Sequence, residues 1–369
     1  MPNKFGDSSV PIKQIAVSGF TVPTDFPESD GTLKWNQTTM VLVEAHADGK
    51  IGLGYTYGDT AVAELIHGLL RKVVEGEDAL SVRGPWQQMQ RRIRNLGHPG
   101  ISAMAISAVD TALWDLKAKL LELPLVTLLG QVRAGVPIYG SGGFTSYSMA
   151  QLEEQLGAWV AGGIPRVKMK IGRDAKADIE RVRAVRTVIG PEAELFVDAN
   201  GAYSRKQALA QAEAFADSKV KWFEEPVSSD DLDGLRLVRD RAPALMEIAA
   251  GEYGYTSWYF RRMLEAGAVD VLQADCTRCG GFSGLLQVDA LCQAHHLELS
   301  AHTAPALHMH VCCAAQSIRH LEYFHDHVRI EHMFFEGLPA PVNGELRPDL
   351  SQPGLGLELK RADAERYAA

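Results

Sequence analysis

Arg166 begins the sequence RVKMKIG (166–172), which is followed along the chain by ELFVDAN (194–200) and VKWFEEP (220–226). Segments of helical pattern separate these apolar runs, at 175–189 and 204–217. When strands and helices alternate in this way, each helix returns the chain to the same end of the sheet, so consecutive strands run parallel. The stretch therefore predicts a parallel β/α sheet.

The same alternation continues on both sides of this stretch. It begins with VPIYGSGG at 136–143, and the later apolar runs are MEIAAGE (246–252), VDVLQAD (269–275) and LELSAH (297–302). Further helical patterns lie at 230–240, 256–266, 282–295 and 305–316. At least seven such units in series favour a closed β/α barrel over an open doubly wound sheet. We therefore predict a barrel domain over residues 131–340.

The residues before the barrel have a different pattern. Strand patterns come first, in IKQIAVSGF (12–20) and in TTMVLVEAHADGKIGLGYTYGD (38–59), whose Asp48-Gly49 pair is typical of a hairpin turn. Helical patterns follow at 61–93 and 102–121. Strands followed by helices predict an α+β domain over residues 1–130. The Gly- and Pro-rich tail at 341–369 cannot form a long helix, and we expect it to pack on this first domain.

Composition limits the class of protein. The chain has 369 residues, of which 46% are hydrophobic and 22% charged, and its formal net charge is −9. A net acidic chain without blocks of Lys and Arg is a poor candidate for binding nucleic acid or anionic membranes. It has no apolar run of membrane-spanning length, and we expect no signal peptide. Five cysteines, an odd number, indicate free thiols and a cytoplasmic location.

Each apolar run ends on polar residues of types that take part in catalysis. From Lys170 onward, successive strand ends are 23 to 28 residues apart, about one β/α unit. The active sites of β/α barrels lie at the carboxyl ends of the strands. We therefore expect one pocket to collect Lys168, Lys170, Asp198, Asn200, Glu224, Glu252, Asp275, His302 and, 20 residues further on, Glu322.

Three of these residues, Asp198, Glu224 and Glu252, are carboxylates from neighbouring strands, and hard oxygen ligands suit Mg²⁺.

Lys168 and Lys170 are two positions apart in a strand, so their side chains point to the same face. Beside a cation, the pKa of a lysine should fall towards that of a general base.

A second base could come from the other side of the barrel. His302 ends one strand, and Asp275 ends the strand before it. A carboxylate can orient a neighbouring imidazole and stabilise its protonated form, as in a catalytic triad.

Six motifs stand in order at these strand ends: KMK (168–170), DAN (198–200), EEP (224–226), GE (251–252), QAD (273–275) and AH (301–302). With these motifs the chain resembles the enolase superfamily and, within it, the mandelate racemase subgroup, over nearly its whole length. The resemblance implies a modified TIM barrel of the (β/α)7β type, with an α+β N-terminal capping domain that the C-terminal segment completes. It also implies abstraction of the proton α to a carboxylate, through an enediolate stabilised by Mg²⁺.

The resemblance assigns the first set of residues as follows. Asp198, Glu224 and Glu252 match the Mg²⁺ ligands, with Glu224 the first glutamate of the EEP motif. Lys170 matches the base on one face of the substrate. Lys168 matches the lysine near the substrate carboxylate that helps to keep Lys170 deprotonated.

The resemblance also assigns the opposite face of the substrate. His302 and Asp275 match the base dyad on that face. Glu322 stands where the subgroup often places an acid that hydrogen-bonds the developing enolate. These positions do not decide which of the two bases removes the proton.

The choice among racemase, dehydratase and cycloisomerase depends on the segment FTVPTDFPESDGTLKWN (20–36), which we expect to be a loop that closes over the site. Its many polar residues suit a polyhydroxylated acid, whose hydroxyl groups need partners. We therefore favour a dehydratase that converts an acid sugar to a 2-keto-3-deoxy acid. The alternative is a racemase or epimerase of a 2-hydroxy acid, and an inactive binding protein is a remote third.

Several residues next to the strand ends or in the expected loop are candidates for contacting the substrate or supporting the site: Asn200, Lys34, Trp35, Tyr253 and Arg278. We expect a homo-oligomer that binds a small carboxylate. The Cys276/Cys279 pair has the spacing of a zinc or redox pair, but it directly follows a strand end, and we do not expect a zinc site there.

Overall fold

The computed structural model describes residues 9–369. The N-terminal domain is built on an antiparallel sheet of β1 (Gln14–Ser29), β2 (Lys34–Ala47) and β3 (Lys50–Tyr57). Side chains alternate along β2, so Val41 and Val43 pack with the helices of this domain while Met40 and Leu42 join the core shared with the barrel. The sheet is therefore covered on both faces, and the hairpin turn at 48–49 is confirmed.

The helices of this domain follow the sheet in the chain. They are Ala61–Leu65, Ile66–Leu70 (a π-helical turn), Arg71–Val74, Arg83–Arg92, Ile101–Leu120 and Leu125–Leu129. The long helix Ile101–Leu120 lies directly against β3, because Gly52 and Gly54 leave room for its backbone. A Cβ atom at Gly54 would lie 2.4 Å from the carbonyl oxygen of Ala108.

Eight parallel strands form the barrel, and pairing of the last with the first closes it. They are β4 (Val136–Gly142), β5 (Arg166–Lys170), β6 (Glu194–Asp198), β7 (Val220–Glu224), β8 (Glu247–Ala250), β9 (Val271–Ala274), β10 (Glu298–Ala301) and β11 (Ile318–Phe324). The predicted closed β/α barrel is therefore confirmed.

Seven helices connect these strands: Met149–Ala161, Ala175–Ile189, Arg205–Ala216, Leu232–Arg241, Ser257–Glu265, Gly281–His295 and Pro305–Ala314. An eighth helix, His325–Phe334, follows β11 and also packs on the N-terminal sheet. There the hydroxyl of Tyr55 donates a 2.6 Å hydrogen bond to Glu331, and the rings of Phe20 and Phe334 lie 5.3 Å apart. The eighth helix therefore links the barrel to the N-terminal domain.

The C-terminal residues first pair with strand β4 of the barrel, through Glu345–Leu346, and then return to the N-terminal domain. Their short elements are β12 (Phe335–Glu336), β13 (Glu345–Leu346), β14 (Glu358–Leu359), the helix Arg361–Ala364 and the 3₁₀ turn Glu365–Tyr367. Arg361 lies 2.6 Å from Glu44 of β2, and the backbone N–H of Ala369 donates a 3.0 Å hydrogen bond to Gly19 of β1. The boundaries 1–130, 131–340 and 341–369 stay predictions.

The segment 20–36, expected to be a loop, is mostly strand. The pairing of β1 with β2 continues past an irregularity between Pro23 and Glu28, and the register resumes with Glu28 opposite Trp35. Polar side chains do not prevent this, because several of them face solvent, while the buried side chains of Glu28, Ser29 and Asp30 hydrogen-bond to neighbouring groups. Separately, no helix among residues 9–369 is long and apolar enough to cross a membrane.

Candidate active site

The register of the barrel brings the predicted site residues together at the carboxyl ends of the strands. Lys170 at the end of β5 lies opposite Asp198 at the end of β6, which in turn lies opposite Glu224 at the end of β7. Glu252 follows β8 by two residues, and Asp275 follows β9 by one. The strands therefore supply one residue after another to the same end of the barrel.

Three carboxylates form the centre of this site. Oxygen atoms of Asp198, Glu224 and Glu252 all lie within 4.8 Å of one another, and all three side chains are buried. Burial, and then the charge of Asp198, raise the pKa of Glu224 to about 8. Of the EEP pair, Glu224 and not Glu225 belongs to this cluster.

The donor set fits a hard divalent cation. All its donor atoms are carboxylate oxygens, the ligands that Mg²⁺ prefers. Oε2 of Glu252 has no hydrogen-bond partner among the described residues. Buried acidic groups that are this close repel one another unless positive charge lies beside them.

The two lysines provide positive charge on one side of the cluster. Nζ of Lys168 lies 2.6 Å from Oε1 of Glu224, and Nζ of Lys170 contacts Oδ2 of Asp198. Burial alone would lower the pKa of both lysines, but the neighbouring carboxylates outweigh it and raise both values. The predicted fall in the pKa of Lys170 requires Asp198 to share its charge with a cation, and it stays a prediction.

His302 and Asp275 form the expected dyad on the other side. Nδ1 of His302 lies 2.8 Å from Oδ2 of Asp275, while its Nε2 lies 3.3 Å from Glu252 and 3.7 Å from Glu322. Burial would lower the pKa of His302, but the charge of Glu252, followed by that of Glu322, raises it to about 9. The dyad therefore faces the carboxylates with a ring nitrogen that can hold a proton.

Glu322 lies between Lys168 on one side of the carboxylate cluster and His302 on the other. Its Oε1 is 2.8 Å from Nζ of Lys168 and accepts a 2.5 Å hydrogen bond from the hydroxyl of Ser141. Its Oε2 has no hydrogen-bond partner among the described residues. Burial would raise its pKa, but Lys168 and His302 outweigh burial and lower it. In this arrangement Glu322 is a hydrogen-bond acceptor, and the acid role assigned by resemblance stays a prediction.

A cleft of about 330 Å³ opens beside these residues. Of the five expected substrate contacts, four line it, namely Asn200, Trp35, Tyr253 and Arg278, but Lys34 does not. Lys34 is exposed because neighbouring side chains of a strand point to opposite faces. The prediction that Lys34 reaches the cleft is therefore wrong.

Two of these residues contact members of the carboxylate cluster. Arg278 lies over the ring of Tyr253, 5.4 Å from its centre, and donates a 3.1 Å hydrogen bond to the carbonyl of Glu252. The backbone N–H of Asn200 donates a 2.8 Å hydrogen bond to Asp198. Asn200 has a positive φ of 45°, as an Asx turn at a strand end allows.

Part of the cleft wall was not foreseen in the sequence. It includes Gln37, Thr38 and Thr39 of β2, Tyr57 of β3, Phe324 at the end of β11, and His327 on the helix that follows. His327 stacks on Tyr57, with the ring centres 3.4 Å apart. The signal that could have identified Tyr57 is its place at the end of the hairpin that covers the barrel.

Comparison with known families agrees with this geometry. A family model described as Mandelate racemase / muconate lactonizing enzyme, N-terminal domain, matches residues 20–130, and one described as Enolase C-terminal domain-like matches residues 151–364. The chain belongs to the mandelate racemase/muconate lactonizing enzyme family of the enolase superfamily. The resemblance inferred from the six motifs is therefore confirmed.

Individual members of this family are similar to most of the chain. A 3,6-anhydro-alpha-L-galactonate cycloisomerase from Streptomyces coelicolor is 35% identical over 322 residues, which cover 85% of this chain and 88% of the relative. The crystal structure of a mandelate racemase/muconate lactonizing enzyme-like protein from Rubrobacter xylanophilus is 58% identical. Its TM-score is 0.96, and the match covers 97% of this chain and all of that one.

A third relative was crystallised with a metal and a ligand. The L-talarate/galactarate dehydratase from Salmonella typhimurium, liganded with Mg and L-lyxarohydroxamate, has a TM-score of 0.91 and is 26% identical, covering 100% of this chain and 95% of that one. Of these three relatives, one is named as a cycloisomerase and one as a dehydratase. This chain is an enzyme of the same superfamily, and Mg²⁺ is its cofactor.

Proposed function

We propose that this enzyme removes the proton α to the carboxylate of an acid sugar and then expels the β-hydroxyl group as water. The product is a 2-keto-3-deoxy acid. The observation that carries the proposal is the pair of bases that face one carboxylate cluster, with Lys170 on one side and the His302–Asp275 dyad on the other. Elimination of water needs a base for the α-proton and an acid for the leaving oxygen, and this pair can supply both. A racemase would also use two groups, and the polar cleft wall described below favours elimination of a sugar hydroxyl.

Asp198, Glu224 and Glu252 would hold Mg²⁺ in this proposal. When bound, the cation neutralises the charge that builds on the substrate carboxylate as the α-proton leaves. Lys168 lies beside Glu224 and Glu322, where its ammonium group can donate to a carboxylate oxygen of the substrate. Its charge also acts to lower the pKa of Lys170, which favours a base role.

The proposed elimination is balanced by two proton transfers. One base takes the α-proton, and the electron pair of the C–H bond moves onto the substrate carboxylate as an enediolate, from which it returns to form the double bond between the α- and β-carbons. The other base, in its protonated form, donates a proton to the β-oxygen, which leaves as water. The resulting enol takes up a proton at the β-carbon and becomes the 2-keto acid.

The cleft wall supports an acid sugar as the substrate. Thr38, Thr39 and Gln37 line it with hydroxyl and amide groups, and Arg278 and His327 add nitrogen donors. Each hydroxyl group of a sugar chain loses hydrogen bonds to water when it is buried, so a matching site needs several polar partners.

A second candidate is a cycloisomerase of an anhydro or lactone form of an acid sugar, and the 35% identical relative favours it. If the leaving β-oxygen belongs to a ring, the same elimination opens the ring and no water is lost. The residues required are the same, so the site geometry supports both reactions. The two are distinguished by product mass.

The test is a screen of the Mg²⁺-loaded enzyme, in H₂O and in D₂O, against aldonates, aldarates, their anhydro and lactone forms, and 2-hydroxy acids without a β-oxygen, read by 2-keto acid formation and mass spectrometry. Dehydration lowers the mass by one water, whereas ring opening leaves it unchanged. A racemase would form no keto acid but would exchange the α-hydrogen for solvent deuterium. Exchange confined to 2-hydroxy acids that have no β-oxygen would refute the proposal.

A further inference from the structure

His308 is a fully buried histidine on the helix Pro305–Ala314, outside the group of residues assigned above. Its Nε2 accepts a 2.7 Å hydrogen bond from the backbone N–H of Cys276, and its Nδ1 lies 2.8 Å from the carbonyl oxygen of Thr303. A backbone N–H can only donate, and a carbonyl can only accept. These two partners therefore select the neutral ring with its proton on Nδ1.

The two backbone groups that His308 joins belong to the loops of the base dyad. Cys276 directly follows Asp275 in the loop after β9, and Thr303 directly follows His302 in the loop after β10. We propose that His308 is a positioning residue for the second base: it holds these two loops together and so keeps Asp275 within hydrogen-bond distance of His302. The inference rests on the role proposed above for His302.

The backbone beside His302 needs such a support. Thr303 and Ala304 have positive φ angles of 53° and 39°, a conformation that is unfavourable for residues other than glycine. Nδ1 of His308 lies 2.8 Å from the carbonyl oxygen of Thr303 and 3.3 Å from that of Ala304, so the ring contacts both residues. Without the ring we expect this loop to relax and to move His302 with it.

A metal site at the same place is less favourable. Ligand atoms of Asp275, Cys276 and His308 lie within 4.8 Å of one another. However, both ring nitrogens of His308 already make hydrogen bonds. Burial raises the pKa of the Cys276 thiol well above its usual value, which disfavours the thiolate that a metal would need. The geometry therefore points to a hydrogen-bonded support.

Three variants separate the two hydrogen bonds. His308→Leu removes both of them. In His308→Gln the amide oxygen can reach the Nε2 position and accept from Cys276, and in His308→Asn the amide nitrogen can take the Nδ1 position and donate to Thr303. The matched control is His310→Leu, because His310 is also buried on this helix and its ring nitrogens make no hydrogen bond to the loops that follow Asp275 and His302.

Two measurements test the proposal. In steady-state kinetics with an identified substrate, His308→Leu should lower kcat by roughly 10²-fold, as a small misplacement of a catalytic group does, and should leave KM nearly unchanged. The Gln and Asn variants should recover part of that loss, and His310→Leu should keep the wild-type kcat. In proton NMR, the resonance of the His302 Nδ1–H that bonds Asp275, assigned by its absence in His302→Asn, should shift or disappear in His308→Leu and persist in His310→Leu.

The proposal is overturned if folded His308→Leu keeps both the wild-type kcat and the resonance, or if His310→Leu loses both to the same extent. If His308→Leu does not fold, the Gln and Asn variants decide, because each lacks one hydrogen bond; unchanged kcat and resonance in both would overturn it. If the wild-type enzyme eliminates no β-oxygen from any acid sugar, the proposed function fails. The resonance then still tests whether His308 positions His302.

Discussion

The indole N–H of Trp35 donates a 2.7 Å hydrogen bond to Oε2 of Glu28, its cross-strand neighbour in the hairpin of β1 and β2. Glu28 is only 1% exposed, and its other oxygen has no hydrogen-bond partner among the described residues. Burial, and then the charge of Asp326, raise the pKa of Glu28 to about 8. The hairpin beside the cleft therefore contains a buried carboxyl group whose pKa lies above that of an exposed glutamate.

The raised pKa of Glu28 predicts how the stability of the folded enzyme depends on pH. The folded state holds the Glu28 proton more tightly than the unfolded chain, whose Glu pKa is 4.5. The contribution to stability is therefore complete below about pH 4.5 and is lost as the pH rises through about 8. Glu28→Gln keeps an acceptor for Trp35 without a titrating group, so its melting temperature should match wild type near pH 4.5 and exceed it above pH 8.

Thermal melts across this pH range check the expectation. The control is Glu358→Gln, the same substitution at an exposed position of β14. It should change neither the melting temperature nor its pH dependence. A Glu28→Gln variant with the same pH dependence as wild type would mean that this carboxyl is ionised when folded.

Substitution of Trp35 should change substrate binding, whereas substitution of its neighbour Lys34 should not. Trp35 lines the cleft and packs edge-on against Phe144 with the ring centres 5.5 Å apart, whereas Lys34 is exposed. Trp35→Ala should raise KM roughly tenfold, equivalent to about 1.4 kcal/mol, or change the substrate range. Lys34→Ala should do neither. Kinetics over a panel of acid sugars checks this, and equal effects of the two variants would contradict the placement of the hairpin.

The barrel could be predicted because its pattern is local. Each strand and helix is encoded within a run of some 25 residues, and the rule that active sites lie at carboxyl strand ends then unites residues far apart in sequence. Lys170, Asp198 and Glu224 could therefore be placed together without a structure. The same rule places Glu252 in this site, although it lies two residues beyond the end of β8.

The position of the β1–β2 hairpin and the role proposed for His308 depend on contacts between parts of the chain that are far apart in sequence. A local sequence pattern does not encode such contacts. The prediction for Lys34 is wrong because it assumes a loop, in which the alternation of side chains along a strand does not apply. His308 acts through backbone groups of Cys276 and Thr303, which no side-chain pattern reveals. Burial of Glu28 depends on the packing of the hairpin against the helix after β11, which is likewise not encoded locally.

The carboxylate cluster predicts that Mg²⁺ stabilises the folded enzyme. A ligand that binds only the folded state stabilises it by about 2.7 kcal/mol at a concentration of 100 times its Kd. Thermal melts in Mg²⁺ should therefore lie above those in EDTA, and Asp198→Asn should abolish the difference together with the activity. Asp289→Asn is the control: Asp289 is also buried, but it accepts hydrogen bonds from the backbone of Gln316 and Ser317, near the other end of the barrel. Full turnover of EDTA-treated wild type would contradict the role of the cluster.

The last prediction concerns the two bases. With an identified substrate in D₂O, the keto acid should carry deuterium at C3, because the enol takes its proton from solvent. Lys170→Ala and His302→Asn should each lower turnover by roughly 10²–10⁴-fold, the usual contribution of a general acid or base. Only the variant that lacks the abstracting base should also lose exchange of the substrate α-hydrogen. The configuration of the α-carbon decides whether that base is Lys170 or His302. NMR and mass spectrometry follow both signals in one experiment. Near wild-type turnover in both variants would refute a two-base site, whereas loss of exchange in both would mean that the dyad and Lys170 act on the same proton.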